Sequence, residues 1–328
     1  MSEMTYNRCG RSGLLFPTVS MGLWYNYGEP DCTETARRML QFAWDRGISH
    51  FDLANIYGPP KGEAERFFGK MLREDFGGLR DQMLISTKAG WPMWEGPYGD
   101  LGSRKHLISS LEQSLARIGL EYVDIFYHHR PDTGTPLEET MGALDQVVRQ
   151  GKALYVGISG YNMEQTRQAL RILNKLGTPC LIHQPLFNLF TRGPARQLFP
   201  LLEREGVGCI PYSPLAQGLL SDRYLGGSAP KDSRAAKPHG YLKTAALTER
   251  KLAILHALNK LAARRGQSLA VMSLAWVLQH PCVTSVLIGA SCVEQIEANL
   301  ACMDSPAFAD SELQEIADLV GSETEGRG

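Results

Sequence analysis

The sequence predicts a parallel α/β barrel closed by eight strands, and three observations carry the prediction. Eight short runs rich in β-branched and apolar residues recur, each bounded by turn or cap residues. Amphipathic helical stretches separate them in units of about 30 residues. No G-x-G-x-x-G follows the first run, where an open dinucleotide-binding sheet would hold its phosphate loop. Residues 1–328 are expected to form this one barrel domain, with an N-terminal hairpin and extra C-terminal helices.

The elements follow in order. "TYNRCGRSGLLFP" reads as a hairpin turning around Gly10 to Gly13, placed where it could plug the barrel's bottom. "TVSMG" near Thr18 is the first strand, and "TARRMLQFAWDRG" the first helix, with Ala36, Met39, Leu40, Ala43 and Trp44 on one face and Gly47 as its cap. "ISHFDLA" from Ile48 and "MLISTKAG" from Met83 are the second and third strands. "LISSLEQSLARIG", "LEETMGALDQVVRQG" and "EQTRQALRILNKLG" are helices that each close on a glycine just past the last apolar position. They alternate with strands "YVDIFYHH" from Tyr122, "ALYVGIS" from Ala153 and "CLIHQPLF" from Cys180. "VGCIPYS" from Val207 is the seventh strand and "TSVLIGA" from Thr284 the eighth. A Gly-, Pro-, Ser- and base-rich loop runs from Ser221 to Thr248, a length that usually signals function. Helices are expected around 249–264, 268–279 and 310–320.

Composition narrows the function. With 328 residues, 43% hydrophobic and 21% charged, the chain suits a packed, enzyme-sized fold. A formal charge of −1, from 34 basic and 35 acidic residues, gives no field that would draw nucleic acid. Apolar stretches are strand-length, too short for a membrane span, and "MSEMTYNRCGRSG" lacks a secretory apolar segment, so a cytoplasmic location is expected. Seven cysteines without any C-x-x-C suggest neither a disulfide framework nor a metal site.

In barrels of this kind the chemistry sits where strands meet their following loops. There the sequence places Asp52, Lys88, His129, Ser159, Gln184 and Tyr212 at the ends of the second to seventh strands, with Tyr57 on the loop beyond Asp52. Singly, each has a bland reading: a cap, a solvated lysine, a structural histidine, a packed loop tyrosine. His128 and His129 adjoin, and a strand sends neighbours to opposite faces, so at most one faces the barrel axis. Together, an acid, a lysine, a tyrosine and a histidine at one barrel mouth are what proton delivery to a carbonyl needs. Tyrosine titrates near 10, so an ammonium beside it brings it toward the working range. Asp52 would keep Lys88 charged and oriented, and the histidine would hold the substrate oxygen.

In order, and over essentially the whole chain, "FDLANIYG", "ISTKAG", "IFYHHRPD", "GISG", "HQPLFN", "YSPLAQGLL" and "VLIGASCVEQIEANL" resemble the signatures of the aldo-keto reductases. The resemblance implies a (β/α)8 TIM barrel that transfers hydride from NADP(H) to small aldehyde substrates, with Asp52, Tyr57, Lys88 and His129 as its catalytic tetrad. It implies cofactor contacts from Asp52 and Trp24, from Ser159 and Gln184 to the carboxamide, and from Tyr212 stacked on the nicotinamide. Ser213, Pro214, Leu215, Gln217, Arg223 and Arg234 would line the pyrophosphate and adenosine, with Gly289, Ser291, Gln295 and Asn299 around the helix start after the eighth strand. The long basic loop would then strap over the cofactor.

"FDLANIYGPPKGEAE", "KAGWPMWEGPYGDLGSRKHL" and "EYVDIFYHHRPD" look closest to the L-glyceraldehyde 3-phosphate reductase branch, related to potassium-channel β subunits. That branch also reduces methylglyoxal and commonly forms homo-oligomers. A phosphorylated substrate makes Arg104, Lys105 and Arg130 candidate phosphate contacts. Gly160 replaces an asparagine that often follows the family's serine, Ala298 a glutamate, and Gln295 an arginine that grips the 2′-phosphate in other branches. Arg223 and Arg234 then carry the preference for NADP. The alternative is a cofactor-binding regulatory subunit with weak catalysis, against which His129 speaks, because the channel subunits carry Asn there. A third reading, a barrel hydrolase using His128 or His129 on a metal, finds no H-x-H pair and no carboxylate cluster in the sequence.

Overall fold

A computed structural model describes residues 3–28, 33–226 and 247–321. The hairpin strands β1 (Tyr6–Arg8) and β2 (Leu15–Pro17) pair antiparallel. Eight parallel strands follow: β3 (Val19–Gly22), β4 (His50–Asp52), β5 (Leu84–Ala89), β6 (Val123–His128), β7 (Ala153–Ser159), β8 (Cys180–Gln184), β9 (Gly208–Cys209) and β10 (Val286–Ile288). Their order is β10-β3-β4-β5-β6-β7-β8-β9. The ends meet where Thr284 N–H donates to Cys209 O (2.8 Å) and Leu287 N–H to Pro211 O (3.3 Å).

Helices α1 (Thr33–Asp45), α2 (Glu63–Glu74), α3 (Arg104–Ile118), α4 (Leu137–Arg149) and α5 (Met163–Leu176) connect the first strands. Short α6 (Gly193–Gln197) and α7 (Phe199–Glu205) precede β9, and α8 (Glu249–Arg264) and α9 (Leu269–Leu278) precede β10. α10 (Val293–Leu300) and α11 (Asp310–Val320) follow it. Local chemistry sets their limits: the Ser103 hydroxyl caps α3, a capping box of Asn162 and Gln165 opens α5, and left-handed Gly119 and Gly177 close these helices.

The hairpin does plug the bottom. Cys9 and Phe16 join Ile125, Tyr127, Leu181, Ile182, Ile210 and Leu287 in a cluster inside the strands. Arg11 N–H donates to Gly206 O just before β9, and a Cβ on Gly10 (φ +53°) would lie 2.1 Å from that same oxygen. Only glycine fits there. A much larger core lies between strands and helices.

The seventh strand is shorter than the sequence suggests, because prolines interrupt it. Pro211 has no N–H to donate toward β10, whereas on the β8 side Ile210 N–H reaches His183 O at 3.0 Å and Tyr212 N–H reaches Pro185 O at 2.9 Å. Helix α2 also buries a glutamate: Glu65 accepts from Thr87 Oγ1 (2.5 Å) and Arg117 Nε (2.6 Å), fixing helix to sheet from outside.

Candidate active site

Strand pleat decides which side chains enter the barrel. Thr87 points out to Glu65, so its neighbours Ser86 and Lys88 point in. Parallel register sets Asp52 beside Ser86, and both Asp52 and Lys88 are fully buried. The Lys88 ammonium forms an ion pair with Asp52 Oδ2, donates to Leu53 O (2.8 Å), and reaches the Tyr57 hydroxyl at 3.4 Å. It also lies 4.9 Å from the Tyr57 ring centre and 5.6 Å from that of Tyr127. Burial pulls Lys88 below the usual lysine range, and Asp52 opposes that pull. Without the carboxylate a buried ammonium would be unaffordable.

His129 stands one residue beyond β6, its N–H donating to Ala89 O at 2.8 Å. Its ring meets Tyr57 edge-on at 5.8 Å and Trp91 at 6.2 Å, and its Nδ1 is enclosed without a partner among the described residues. Burial first, then the charge of Lys88, holds His129 well below its ordinary value, so the ring is neutral. His128 turns the other way and bonds the Tyr161 hydroxyl at 2.5 Å. The four residues expected at the barrel mouth therefore converge, and the adjacent histidines separate as the pleat requires.

Of the residues assigned to a nicotinamide, Trp24, Ser159 and Gln184 link to that mouth. Trp24 lies 6.3 Å from Tyr57, ring to ring. Ser159 Oγ donates to Gln184 O (2.9 Å), and Gln184 Nε2 reaches Asp52 Oδ2 at 3.4 Å, linking the carboxamide positions to the tetrad. Tyr212 pairs with Leu186 beyond β9. Ser213, Ala216 and Gln217 hold left-handed backbone (φ 52°, 47° and 63°), strain of about 1 kcal/mol or more at each non-glycine position. Gln217 Nε2 donates to Ser213 Oγ (2.8 Å), with Pro214 and Leu215 between them. Arg223 lies in the Asp222–Tyr224 turn, and Arg234 falls outside the described residues.

Gly289 is exposed at the end of β10, and Asn299 is buried within α10. The Gln295 side-chain carbonyl accepts from Ser291 N–H (3.0 Å), a donor that a phosphate would otherwise take. The donor set thus fits a nicotinamide cofactor: an amide and a hydroxyl for a carboxamide, aromatic rings for the base, helix-start amides for phosphate.

Of the three candidate phosphate contacts, only Arg130 adjoins the tetrad. Its guanidinium lies 4.0 Å above the Trp91 ring, and it bonds Gly90 O (2.8 Å) and Asp100 (2.9 Å). Arg104 instead bonds Gly142 O and Gln146 on α4, and Lys105 covers Tyr98. Sequence reasoning missed Ser86, Trp91 and Tyr127. Spacing held the signal for Ser86, which sits two before Lys88 on one strand face; the register that sets it against Asp52 did not show.

The family model for the aldo/keto reductases matches residues 18–320. The chain is 51% identical over 318 residues to "L-glyceraldehyde 3-phosphate reductase" of Escherichia coli strain K12, covering 96% of this chain and 92% of that one. It is 36% identical over 304 residues to a "Probable voltage-gated potassium channel subunit beta" of Oryza sativa subsp. japonica and to one of Arabidopsis thaliana, covering 92% of each chain. Barrel, mouth and sequence similarity agree, and the chain belongs to the aldo/keto reductase family of oxidoreductases.

Proposed function

We propose that this chain reduces small aldehydes, L-glyceraldehyde 3-phosphate and methylglyoxal among them, with NADPH as reductant and Tyr57 as proton donor. The observation that carries the reading is the Lys88 ammonium, paired with Asp52 on one side and 3.4 Å from the Tyr57 hydroxyl on the other. The reduced nicotinamide, when bound, supplies hydride to the carbonyl carbon. Tyr57 then gives its proton to the carbonyl oxygen, and the adjacent ammonium stabilises the tyrosinate left behind. Neutral His129, edge-on to Tyr57, orients the carbonyl by hydrogen bonding rather than by charge.

Ser159, Gln184, Trp24 and Tyr212 would hold the nicotinamide, and Arg223 supports the preference for the phosphorylated cofactor. Arg130, 4.0 Å above the Trp91 ring that meets His129, is the candidate cation for a substrate phosphate. The similarity to the Escherichia coli reductase supports the same substrate. A cytoplasmic homo-oligomer belongs to the same reading, and sedimentation tests the assembly.

The test follows NADPH absorbance with L-glyceraldehyde 3-phosphate, methylglyoxal and an aromatic aldehyde, each repeated with NADH. Turnover of about 1 s⁻¹ or more is expected, falling by about 10²-fold or more in Tyr57→Phe with NADPH affinity nearly unchanged. Near-normal turnover in that variant would sink the assignment of Tyr57. No turnover by the natural chain would favour a cofactor-binding regulatory subunit, like the channel subunits it resembles.

A further inference from the structure

Below the tetrad, a line of buried hydroxyls and one imidazole crosses the barrel interior. Ser86 Oγ donates to Asp52 Oδ1 (2.6 Å), the oxygen that does not face Lys88. His50 Nε2 lies 3.1 Å from Ser86 Oγ, and His50 Nδ1 lies 2.9 Å from Ser20 Oγ. Ser20 Oγ is 2.7 Å from Ser285 Oγ, which also reaches Thr18 O at 3.3 Å. Ser20, His50, Ser86 and Ser285 are all 0% exposed. Phe16 of the hairpin packs its ring edge-to-face on His50 at 4.8 Å, sealing the line from below.

The donors can be assigned. A serine hydroxyl has one hydrogen, and that of Ser86 goes to the Asp52 carboxylate, which can only accept. Ser86 must therefore accept from His50, whose proton is on Nε2. Burial lowers His50 to about 4, so near pH 7 its Nδ1 carries no proton and accepts from Ser20. Ser285 then shares its one hydrogen between Ser20 Oγ (2.7 Å) and Thr18 O (3.3 Å). Every bond in the line points toward Asp52.

We propose that His50 is a positioning residue for the Asp52–Lys88 pair. Acting through Ser86, it pins Oδ1 and so fixes the carboxylate plane, leaving Oδ2 turned to the ammonium. A purely space-filling role is a poor account of it, because burying an imidazole and three hydroxyls costs desolvation that apolar side chains avoid. The rest of the same interior is built mostly with such apolar side chains, the phenol of Tyr127 apart. The line ends on the one carboxylate that a buried lysine depends on.

This inference rests on the reductase reading for its catalytic consequence, but its geometry can be read without turnover. His50→Leu, His50→Gln and Ser86→Ala would be compared with the natural chain, using methylglyoxal and NADPH deuterated at the transferred position. His50→Leu and Ser86→Ala are expected to lower kcat about tenfold, leave the KM for NADPH unchanged and raise the isotope effect on kcat. His50→Gln keeps an N–H toward Ser86 and should retain most of the activity. Unchanged kcat in both damaging variants would overturn the proposal. So would losses that only track the folded fraction by circular dichroism, with the isotope effect unmoved. Nitrogen NMR of histidine-labelled protein reads the tautomer even if no aldehyde is turned over: a proton on Nε2 of His50 supports the line, and one on Nδ1 refutes it.

Discussion

The barrel interior has two unlike walls. β3, β4 and β5 contribute Ser20, His50, Asp52, Ser86 and Lys88, a fully buried polar set. Around it, Ile125, Tyr127, Leu181, Ile182, Ile210 and Leu287 pack with Cys9 and Phe16 into a mostly apolar set. The difference teaches how one small lumen keeps an ion pair dry. The apolar wall excludes water and lowers the local dielectric, which strengthens the Asp52–Lys88 attraction and makes either charge costly without the other. The polar wall satisfies those charges with short bonds from its own strands. Neither wall would work if both were alike.

The largest expected effect comes from breaking the polar wall. Lys88→Met removes the ammonium beside Tyr57 and leaves Asp52 buried without its partner. Turnover should fall by about 10²-fold or more, and stability should fall by about 3–5 kcal/mol. Steady-state kinetics and denaturant titration would measure the two, and a variant that lost neither would show that the ion pair matters to neither property.

Breaking the apolar wall should separate those properties. Ile125→Ala opens a cavity among fully buried neighbours and should cost about 2–5 kcal/mol, while turnover per folded molecule stays within about threefold. If turnover instead collapsed with stability intact, the apolar wall would be shaping the tetrad directly.

The last test concerns acid. Burial lowers His50 and His128 to about 4 and His183 to about 3. An unfolded chain takes up these protons near pH 6.5, whereas the folded chain does not until about pH 4, so stability falls as pH drops through that window. Melting temperature should decline from pH 6.5 to 4, and less steeply in His50→Gln, which removes one such group. Parallel declines in the two proteins would mean that His50 titrates normally in the fold.

Much of this was legible in the sequence, for definite reasons. All eight strands of the barrel fall within the expected runs, because alternating periodicity and glycine caps are local signals. Asp52 and Lys88 drew notice because polar residues closing apolar strands are expensive without a purpose, and Tyr57 only as part of the set at one barrel mouth. The pleat alone separated His128 from His129. What stayed hidden was relational. The buried Glu65 lies on an amphipathic helix and looks like a surface acid until Arg117 and Thr87 are seen around it. Arg104 and Arg130 are equivalent as letters, and only packing sets one against α4 and the other on Trp91.

The sequence by itself determined the alternation of strand and helix, the barrel class and the chemical inventory at the strand ends, since each depends on periodicity or residue type within a short span. Only the tertiary structure decided which inward side chains touch: Asp52 with Ser86, Lys88 with Tyr57, and His50 with two serines. Those contacts depend on register between parallel strands, and a helix lies between each strand and the next. Within one strand, the alternation of faces places a residue to about one pleat. Across strands, register comes from packing the whole barrel at once, which no short stretch of residues records.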